Sequence, residues 1–453
     1  MTALDVVARP IARAARLPLV APLAAHDFRL VWAGESISLL GDAFQTVAVS
    51  WLVLGLTGSG LALGAILIAA AIPRGIFMLL GGVLADRISP RDLALGSNVL
   101  RAVLTTIVAF LVLGSQIQIW HLVALGVVFG TVDAVFLPAI NTLVPRLVPP
   151  DRLAPANALM QGTAQLMGTV GPAIAGFTIA LIGVGIAFVV DAASFAVAAL
   201  ALWLVRSGAT ANSQTERASD DAVAAAAATP PDPEPQPTTT PEAPSVSIAS
   251  SLLEGARVVL GDPVMRSIVL VSTAVNLAFT GPVAVGLPWL VLVGFGGDAL
   301  ALGLLFAAFG AGSLVGAVLG GSLRRPRRFG WLVYGLVVEV GVGLAAISIA
   351  PTIPVVAVIA LVIGVTLGYI NVVMVAWVQE KTDPLLLGRT MSFLMLGSVV
   401  AAPLSLALAA ILVDSYASAI FVAAGALVVV TGLFAIATGL PQRMTDAGAT
   451  MPR

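Results

Sequence analysis

The chain has 453 residues, of which 59 % are apolar and 10 % are charged. A soluble domain carries roughly 25 % charged residues, so this composition indicates a polytopic membrane protein. The net charge is −1 and no GxxxxGK[ST] loop is present, which disfavours nucleic-acid partners and ATP-driven pumping. There is no cysteine, and neither of the two histidines has a second ligand residue at metal-binding spacing. We therefore expect no metal site, no cofactor and no enzymatic activity.

The beginning of the chain predicts a tail followed by an unusual first span. Residues 1–28 are basic but lack the apolar core of a signal peptide, so we expect a cytoplasmic tail. In span one, four polar residues follow the spacing i, i+3, i+7, i+10 and share one helical face: Glu35, Ser38, Asp42 and Gln45. Because acids are costly in hydrocarbon, we expect this face to line a water-filled interior.

Apolar runs of about 20 residues predict twelve transmembrane helices in an all-α membrane protein. The runs lie near 29–55, 61–80, 93–114, 119–143, 157–182, 185–205, 266–293, 299–322, 330–350, 354–378, 389–412 and 417–440. Basic residues outside the spans fall in the even-numbered connections or at helix ends facing them. The positive-inside rule then places both termini in the cytoplasm of a protein of the bacterial inner membrane.

A polar segment divides the spans into two groups of six. Residues 207–250 are rich in Ala, Pro and Thr and predict a disordered cytoplasmic linker between bundles at 29–206 and 251–440. The second bundle opens with a short helix on the inner membrane surface, and 441–453 form a cytoplasmic tail. The stretch SWLVLGLTGSGLALG (50–64) matches PWLVLVGFGGDALALG (288–303). A duplicated six-helix unit is typical of a transporter with a midplane site.

Two motifs resemble those of the major facilitator superfamily. The stretch GGVLADRISPR (81–91) is similar to its loop signature at Gly82, Asp86, Arg87 and Arg91. The stretch GTVGPAIAG (168–176) is similar to its antiporter motif at Gly168, Gly171, Pro172 and Gly176, with Gly168 one place closer than usual. The resemblance implies the major facilitator fold, with two six-helix bundles. Small residues in span five allow close helix approach, and Pro172 is expected to bend that span where the halves touch.

The loop motif is expected to act as a latch between the halves. Asp86 can meet the positive N-terminus of a helix from the other half, while Arg87 and Arg91 pair with carboxylates. The alternative is a short basic turn that only sets topology.

Three further stretches resemble the drug:proton antiporter group that includes macrolide-efflux and enterobactin-export proteins; they lie at 143–159, 189–200 and 377–392. This resemblance implies proton-coupled secondary export of lipophilic or cationic small molecules. Export of a siderophore-like product, or lipid transport, is the alternative. A non-transporting sensor or scaffold has little need for acids in mid-membrane. Span four carries Asp133 and lacks the Arg of neighbouring drug antiporters, so coupling schemes that need that Arg do not carry over.

The candidates for proton coupling are Asp42, Glu35 and Asp133. Asp42 lies midway along span one, where a carboxyl group shielded from water favours its neutral form and can exchange a proton as the cavity alternates. The alternative for Asp42 and Glu35 is a structural pair with an internal arginine, and for Asp133 a hydrogen bond between helices.

Two further acids, Asp191 and Glu339, lie in spans six and nine, which pack outside the cavity in this superfamily. We expect them to be structural, paired with Arg101 of span three or Arg74 of span two.

Spans 1, 4, 7 and 10 line the central cavity in this superfamily. The candidate cavity residues are Ser38, Gln45, Phe44, Phe136, Asn276, Trp289, Tyr369 and Asn371. The aromatic members can wall a lipophilic guest, or they pack against other helices and lipid. The acidic stripe favours neutral or cationic guests. The expected partners are a small-molecule substrate, protons and the lipid bilayer, and we expect a monomer without nucleic acid.

Overall fold

The computed structural model describes residues 18–85, 88–205, 257, 259, 261–382 and 387–449, in which all regular structure is helical. The predicted latch residues Asp86 and Arg87 and the predicted linker 207–250 lie outside the described residues. So does most of the surface helix predicted at the start of the second bundle. Val259, from that stretch, is fully buried against the second half.

The prediction of twelve spans is confirmed. The first ten are α1 His26–Thr57, α2 Gly60–Ala85, α3 Pro90–Leu113, α4 Ile119–Leu147, α5 Leu153–Ile182, α6 Val184–Leu204, α7 Pro263–Gly294, α8 Ala299–Ser322, α9 Phe329–Ile347 and α10 Ile353–Lys381. The run Leu387–Ala437 is broken by non-helical angles at Tyr416 (φ −139°, ψ 42°), which separates α11 (387–415) from α12 (417–437). A short helix, α13 Leu440–Ala449, follows.

Polar side chains cap the N-termini of α3 and α7. Ser89 precedes Pro90 at the start of α3, and its hydroxyl accepts the Asp92 backbone N–H at 3.3 Å. Asp262 caps α7 by accepting two backbone N–H groups, from Val264 at 2.7 Å and from Met265 at 3.1 Å. Each cap satisfies backbone donors that the helix leaves unpaired.

Glycines bring the helices within each half into close contact. In the first half, Gly34 and Gly41 of α1 lie against α6, where any added Cβ would meet Ala201 or Ser194. In the second half, Gly312 of α8 lies against the backbone of α10. Such small-residue contacts are the usual means of packing helices in a membrane.

The two halves contact each other near the end where α1 meets α2, which we call the predicted outer end. There α5 packs on α8: Gly176 lies against Ala299, Gly303 against the Pro172 carbonyl, and Gly310 against Thr169. Pro172 is therefore positioned where the halves touch, within the continuous helix α5.

The contact between α5 and α8 ends towards the opposite, predicted cytoplasmic end. In α5, Gly162 lies two helical turns before Thr169 and shares its face. In α8, Gly321 lies three turns after Gly310 and shares its face. A Cβ built at either glycine meets nothing within 4 Å. On this side of the molecule, α5 and α8 thus touch at the predicted outer end and diverge towards the predicted cytoplasmic end.

A second contact between the halves joins α2 to α11. Gly60 and Gly64 of α2 lie against Val413 and Ala410. Asp414 accepts the Ser59 hydroxyl at 2.6 Å and two backbone N–H groups, from Gly60 at 2.6 Å and from Leu61 at 3.4 Å. Asp414 therefore caps the N-terminus of a helix in the other half.

The segment predicted as a C-terminal tail begins with a helix that packs on the second half. Met444 of α13 is fully buried, and Thr445 accepts the Gly330 backbone N–H at 3.1 Å. The helix covers the predicted cytoplasmic end of α9.

Candidate functional site

A buried ion pair lies inside the first half. Arg101 of α3 is 4 % exposed and donates to the Asp133 carboxylate of α4. Arg74 of α2 approaches the same carboxylate at 3.9 Å. The guanidinium of Arg101 lies over two rings, 4.4 Å from the centroid of Phe136 and 5.4 Å from that of Phe195. Cation–π contacts and the ion pair together stabilise a charge that would otherwise be costly at this depth.

The polar stripe of α1 faces this ion pair. Glu35, Asp42 and Gln45 are half-buried, and Ser38 is buried. Asp42 interacts electrostatically with Arg101, Asp133 and Arg74, and Glu35 interacts with Asp42 and Arg101. The stripe therefore faces charged protein, which is how acids are tolerated within a membrane.

A fourth acid, Asp191, lies on α6 where that helix packs against Gly41 of α1. It is fully buried, and neither carboxylate oxygen has a hydrogen-bond partner among the described residues. A Cβ at Gly41, one residue before Asp42, would lie 2.7 Å from its Oδ1. The pairing expected for Asp191 and Glu339 was wrong, because the two arginines pair with Asp133 instead. One carboxylate oxygen of Glu339, Oε2, is likewise buried without a partner among the described residues. We call the group Glu35, Asp42, Asp133, Asp191, Arg74 and Arg101 the charge cluster.

A cavity of about 280 Å³, which we call the shared cavity, lies between the halves. Gln45 of the polar stripe lines it, one turn further along α1 than Asp42, and Phe129 of α4 contributes an aromatic wall. The other half contributes Val283, Ala284 and Phe306. Val283 and Ala284 lie in a π-helical turn of α7, Pro282–Gly286. Such turns often occur at functional sites.

A larger cavity of about 350 Å³, the second-half cavity, lies among α7, α8, α9 and α10. Its walls are mostly apolar, and Asn276 and Asn371 supply amide groups. The Asn276 side chain donates to the Ser272 carbonyl at 2.9 Å. This use of the amide nitrogen leaves the Asn276 Oδ1 as an acceptor towards a guest.

Five predicted cavity residues, Ser38 and four aromatic residues, do not line either cavity. Phe44 is buried in the apolar core of the first half, and Phe136 is covered by Arg101. Trp289 packs between core clusters, with its buried indole N–H unpaired in the described part of the chain. Tyr369 packs beside Val373 in the second half. The four aromatic residues therefore pack against other helices, which was the alternative to forming the wall of a substrate cavity.

The described residues of the two motifs have structural contacts. Arg91 donates to the carbonyls of Leu202 at 2.9 Å and Trp203 at 2.7 Å, at the C-terminus of α6 where a cation is favourable. Gly82 lies in α2. In the antiporter motif, Gly171 approaches Ala43 of α1. Pro172 and Gly176 face α8 as described above, and Gly168 has open space beside it.

The sequence did not predict the partner of Asp133. Span four lacks an arginine, but Arg101 enters the same region from the neighbouring helix α3. Arg74 and Arg101 are the basic residues that the sequence places inside spans, and that placement was the available signal.

A family model for the Major Facilitator Superfamily matches residues 31–384. The chain belongs to the major facilitator superfamily. Membership in this superfamily and the helical architecture make it a multi-pass membrane transporter of small molecules.

Relatives and solved structures of this superfamily resemble most of the chain. Macrolide efflux protein A of Streptococcus pyogenes is 21 % identical over 391 residues, 85 % of this chain and 89 % of that protein. The multidrug efflux pump Tap of Mycolicibacterium fortuitum is 25 % identical over 381 residues, 83 % of this chain and 86 % of that protein. A bacterial homologue of the iron transporter ferroportin in an inward-facing state matches with a TM-score of 0.64 and 16 % identity, covering 90 % of this chain and 98 % of the other. At this identity, the structural likeness shows the shared fold.

Proposed function

We propose that the protein exports lipophilic or cationic small molecules by alternating access, driven by protons. The observation that carries the proposal is the charge cluster, which holds four acids and two arginines within the membrane interior of the first half. Ionisable residues at this depth usually mark ion or proton pathways, because structural roles alone seldom offset their desolvation.

The chemistry of the two cavities supports the proposed guests. The second-half cavity combines apolar walls with the uncharged amides of Asn276 and Asn371, which suits a lipophilic molecule with a few polar groups. The shared cavity is lined by Gln45, one turn along α1 from Asp42, so the Asp42 carboxylate can attract a cation from a short distance. The printed names of the two relatives, a macrolide efflux protein and a multidrug efflux pump, are consistent with such guests.

The arrangement of the halves supports alternating access. The helices α5 and α8 touch at the predicted outer end and diverge towards the other, as expected of an inward-facing transporter. Asp42, midway along α1, is the proposed coupling residue, with Glu35 and Asp133 as the other candidates. When the two halves rock against each other, the charge cluster is exposed first to one side of the membrane and then to the other.

Transport into liposomes tests the proposal. Purified protein is reconstituted, a pH gradient is imposed, and accumulation of tetraphenylphosphonium and of a macrolide is followed with and without a protonophore. We expect gradient-dependent accumulation that the protonophore abolishes. Asp42→Asn should lose it while retaining exchange without a gradient, because Asn imitates a permanently protonated acid. Glu35→Gln should have a smaller effect.

The control is Asp151→Asn, a neutralised exposed acid outside the charge cluster and outside the spans, which should transport like the wild type. Accumulation that ignores the pH gradient would contradict proton coupling. Transport of a siderophore-like or lipid substrate, with neither probe moved, would contradict the proposed guests. Full activity of Asp42→Asn with loss in Asp133→Asn would move the coupling site to α4.

A further inference from the structure

Asp191 is a buried carboxyl group that the proposed coupling scheme does not use. It is fully buried in α6, and both of its oxygens lack hydrogen-bond partners among the described residues. Buried polar groups in native proteins are nearly always paired, so an unpaired acid at this depth requires an explanation. An isolated ionised carboxylate is far more costly to bury than a neutral acid.

The charged groups that face Asp191 come from the helices packed around it. Asp42 lies on α1 and Arg101 on α3, and both act electrostatically on Asp191. Asp133 and Arg74 lie beyond Arg101. The remaining neighbour in the first half, α5, carries no charged residue over its length. Arg101 is thus the cation that contacts Asp133 and also acts electrostatically on Asp191.

The hydrogen bond to Asp133 uses only part of the donor capacity of the Arg101 guanidinium. One of its terminal nitrogens donates to Asp133, whereas its buried Nε has no partner among the described residues. Its guanidinium also lies over Phe195, one turn along α6 from Asp191. The same face of α3 carries two further buried side chains whose polar atoms are unpaired in the described structure, Asn98 and Thr105. Buried polar atoms without protein partners are the usual binding places of internal water, and we call this row of atoms the seam.

We infer that Asp191 holds a proton in this state and releases it when Arg101 turns from Asp133 to Asp191. This inference rests on the proposed function and adds a second proton site to it. The Asp133 side chain is 31 % exposed, and on this inference a cationic guest binds it and displaces Arg101. Arg101 then pairs with Asp191, the O–H bond breaks, and its electron pair stays on the carboxylate. The proton passes to water in the seam beside Asn98 and Thr105.

Infrared spectroscopy of the purified full-length protein tests the resting state without any substrate. A protonated carboxylic acid has a carbonyl stretch that carboxylates and amides lack and that shifts in D₂O. We expect Asp191→Asn to remove one protonated-acid contribution at neutral pH. An unchanged spectrum in this region would overturn the inference. Failure of Asp191→Asn to fold would do the same, because Asn has the shape of the neutral acid.

A second measurement tests release. Tetraphenylphosphonium is added to the protein in weakly buffered solution, and released protons are counted with an indicator dye. We expect the wild type and Asp151→Asn to release protons equally, and Asp191→Asn to release at least one fewer per bound cation. Equal release in all three proteins would overturn the role of Asp191. A wild type that neither binds nor transports the cation would count against the proposed guest, while the infrared result would still decide whether Asp191 holds a proton.

Discussion

Arg101 has more acids around it than it can pair with at once. It is 4 % exposed, so it depends on a carboxylate for stabilisation at this depth. In the structure that carboxylate belongs to Asp133 of α4, and Asp191 of α6 remains unpaired. Removing one acid therefore has a different effect from removing both.

This competition predicts non-additive stability changes. Asp133→Asn should lower the free energy of unfolding by about 1 kcal/mol, because Arg101 can turn to Asp191. Asp191→Asn should have little effect, whereas the double variant should lose about 3–5 kcal/mol, because Arg101 loses both the acid it contacts and the acid to which it can turn. Unfolding in mixed detergent micelles measures all three. Asp151→Asn, from an exposed pair with Arg152, is the control and should lose less than about 1 kcal/mol. Additive losses would show that the acids do not share Arg101.

The helices α2 and α8 begin with equivalent sequences but obtain their caps differently. The repeat aligns Ser59 with Asp298. Asp298 caps its own helix by accepting the Ala301 backbone N–H at 2.8 Å. The N-terminus of α2 receives its carboxylate from Asp414 of the other half. One carboxylate cap is therefore local, and the other forms only when the predicted outer end is closed.

This difference predicts that Asp414→Asn favours opening at the predicted outer end. Charge-assisted hydrogen bonds to a helix terminus contribute about 1–2 kcal/mol, so the open fraction should rise roughly 5- to 30-fold. Spin labels at Ser115 and Thr352, one in each half, report the distance across that end. Asp298→Asn is the matched control, because its carboxylate makes its cap within one half. An identical distance distribution in Asp414→Asn and Asp298→Asn would contradict a role for Asp414 in closure.

At the scale of elements, the sequence predicted the helices well because bilayer thickness sets their length. The span predicted at 299–322 agrees with α8 at both ends, and the gap predicted between spans eleven and twelve contains Tyr416. The polar stripe of α1 was also predictable, since it depends on helical period alone. The sequence did not predict that Arg101 pairs with Asp133 or that Asp414 caps α2. Those contacts depend on how separate helices pack and how far side chains reach between them.

For the whole molecule, the positive-inside rule predicts which end of the bundle faces the cytoplasm. The chain has no cysteine, so a single introduced cysteine reports its own side. Cysteine at Ser115 or Thr352 should react with an impermeant maleimide in intact cells. Cysteine at Ser322, which is equally exposed, should react only after the membrane is opened. Labelling of Ser322→Cys in intact cells would reverse the assigned orientation and, with it, the direction in which the present state faces.

The charge cluster and the second-half cavity lie in different repeats of the duplicated chain. On the proposed function, the proton-coupling acids lie in the first repeat, whereas the apolar walls and amides that suit a lipophilic guest lie in the second. Substitutions beside Asn276 and Asn371 then change which compounds fit without altering any acid or arginine of the cluster. The two repeats can therefore diverge at different rates under selection. A population exposed to a new toxic compound needs changes in only one of them to acquire resistance.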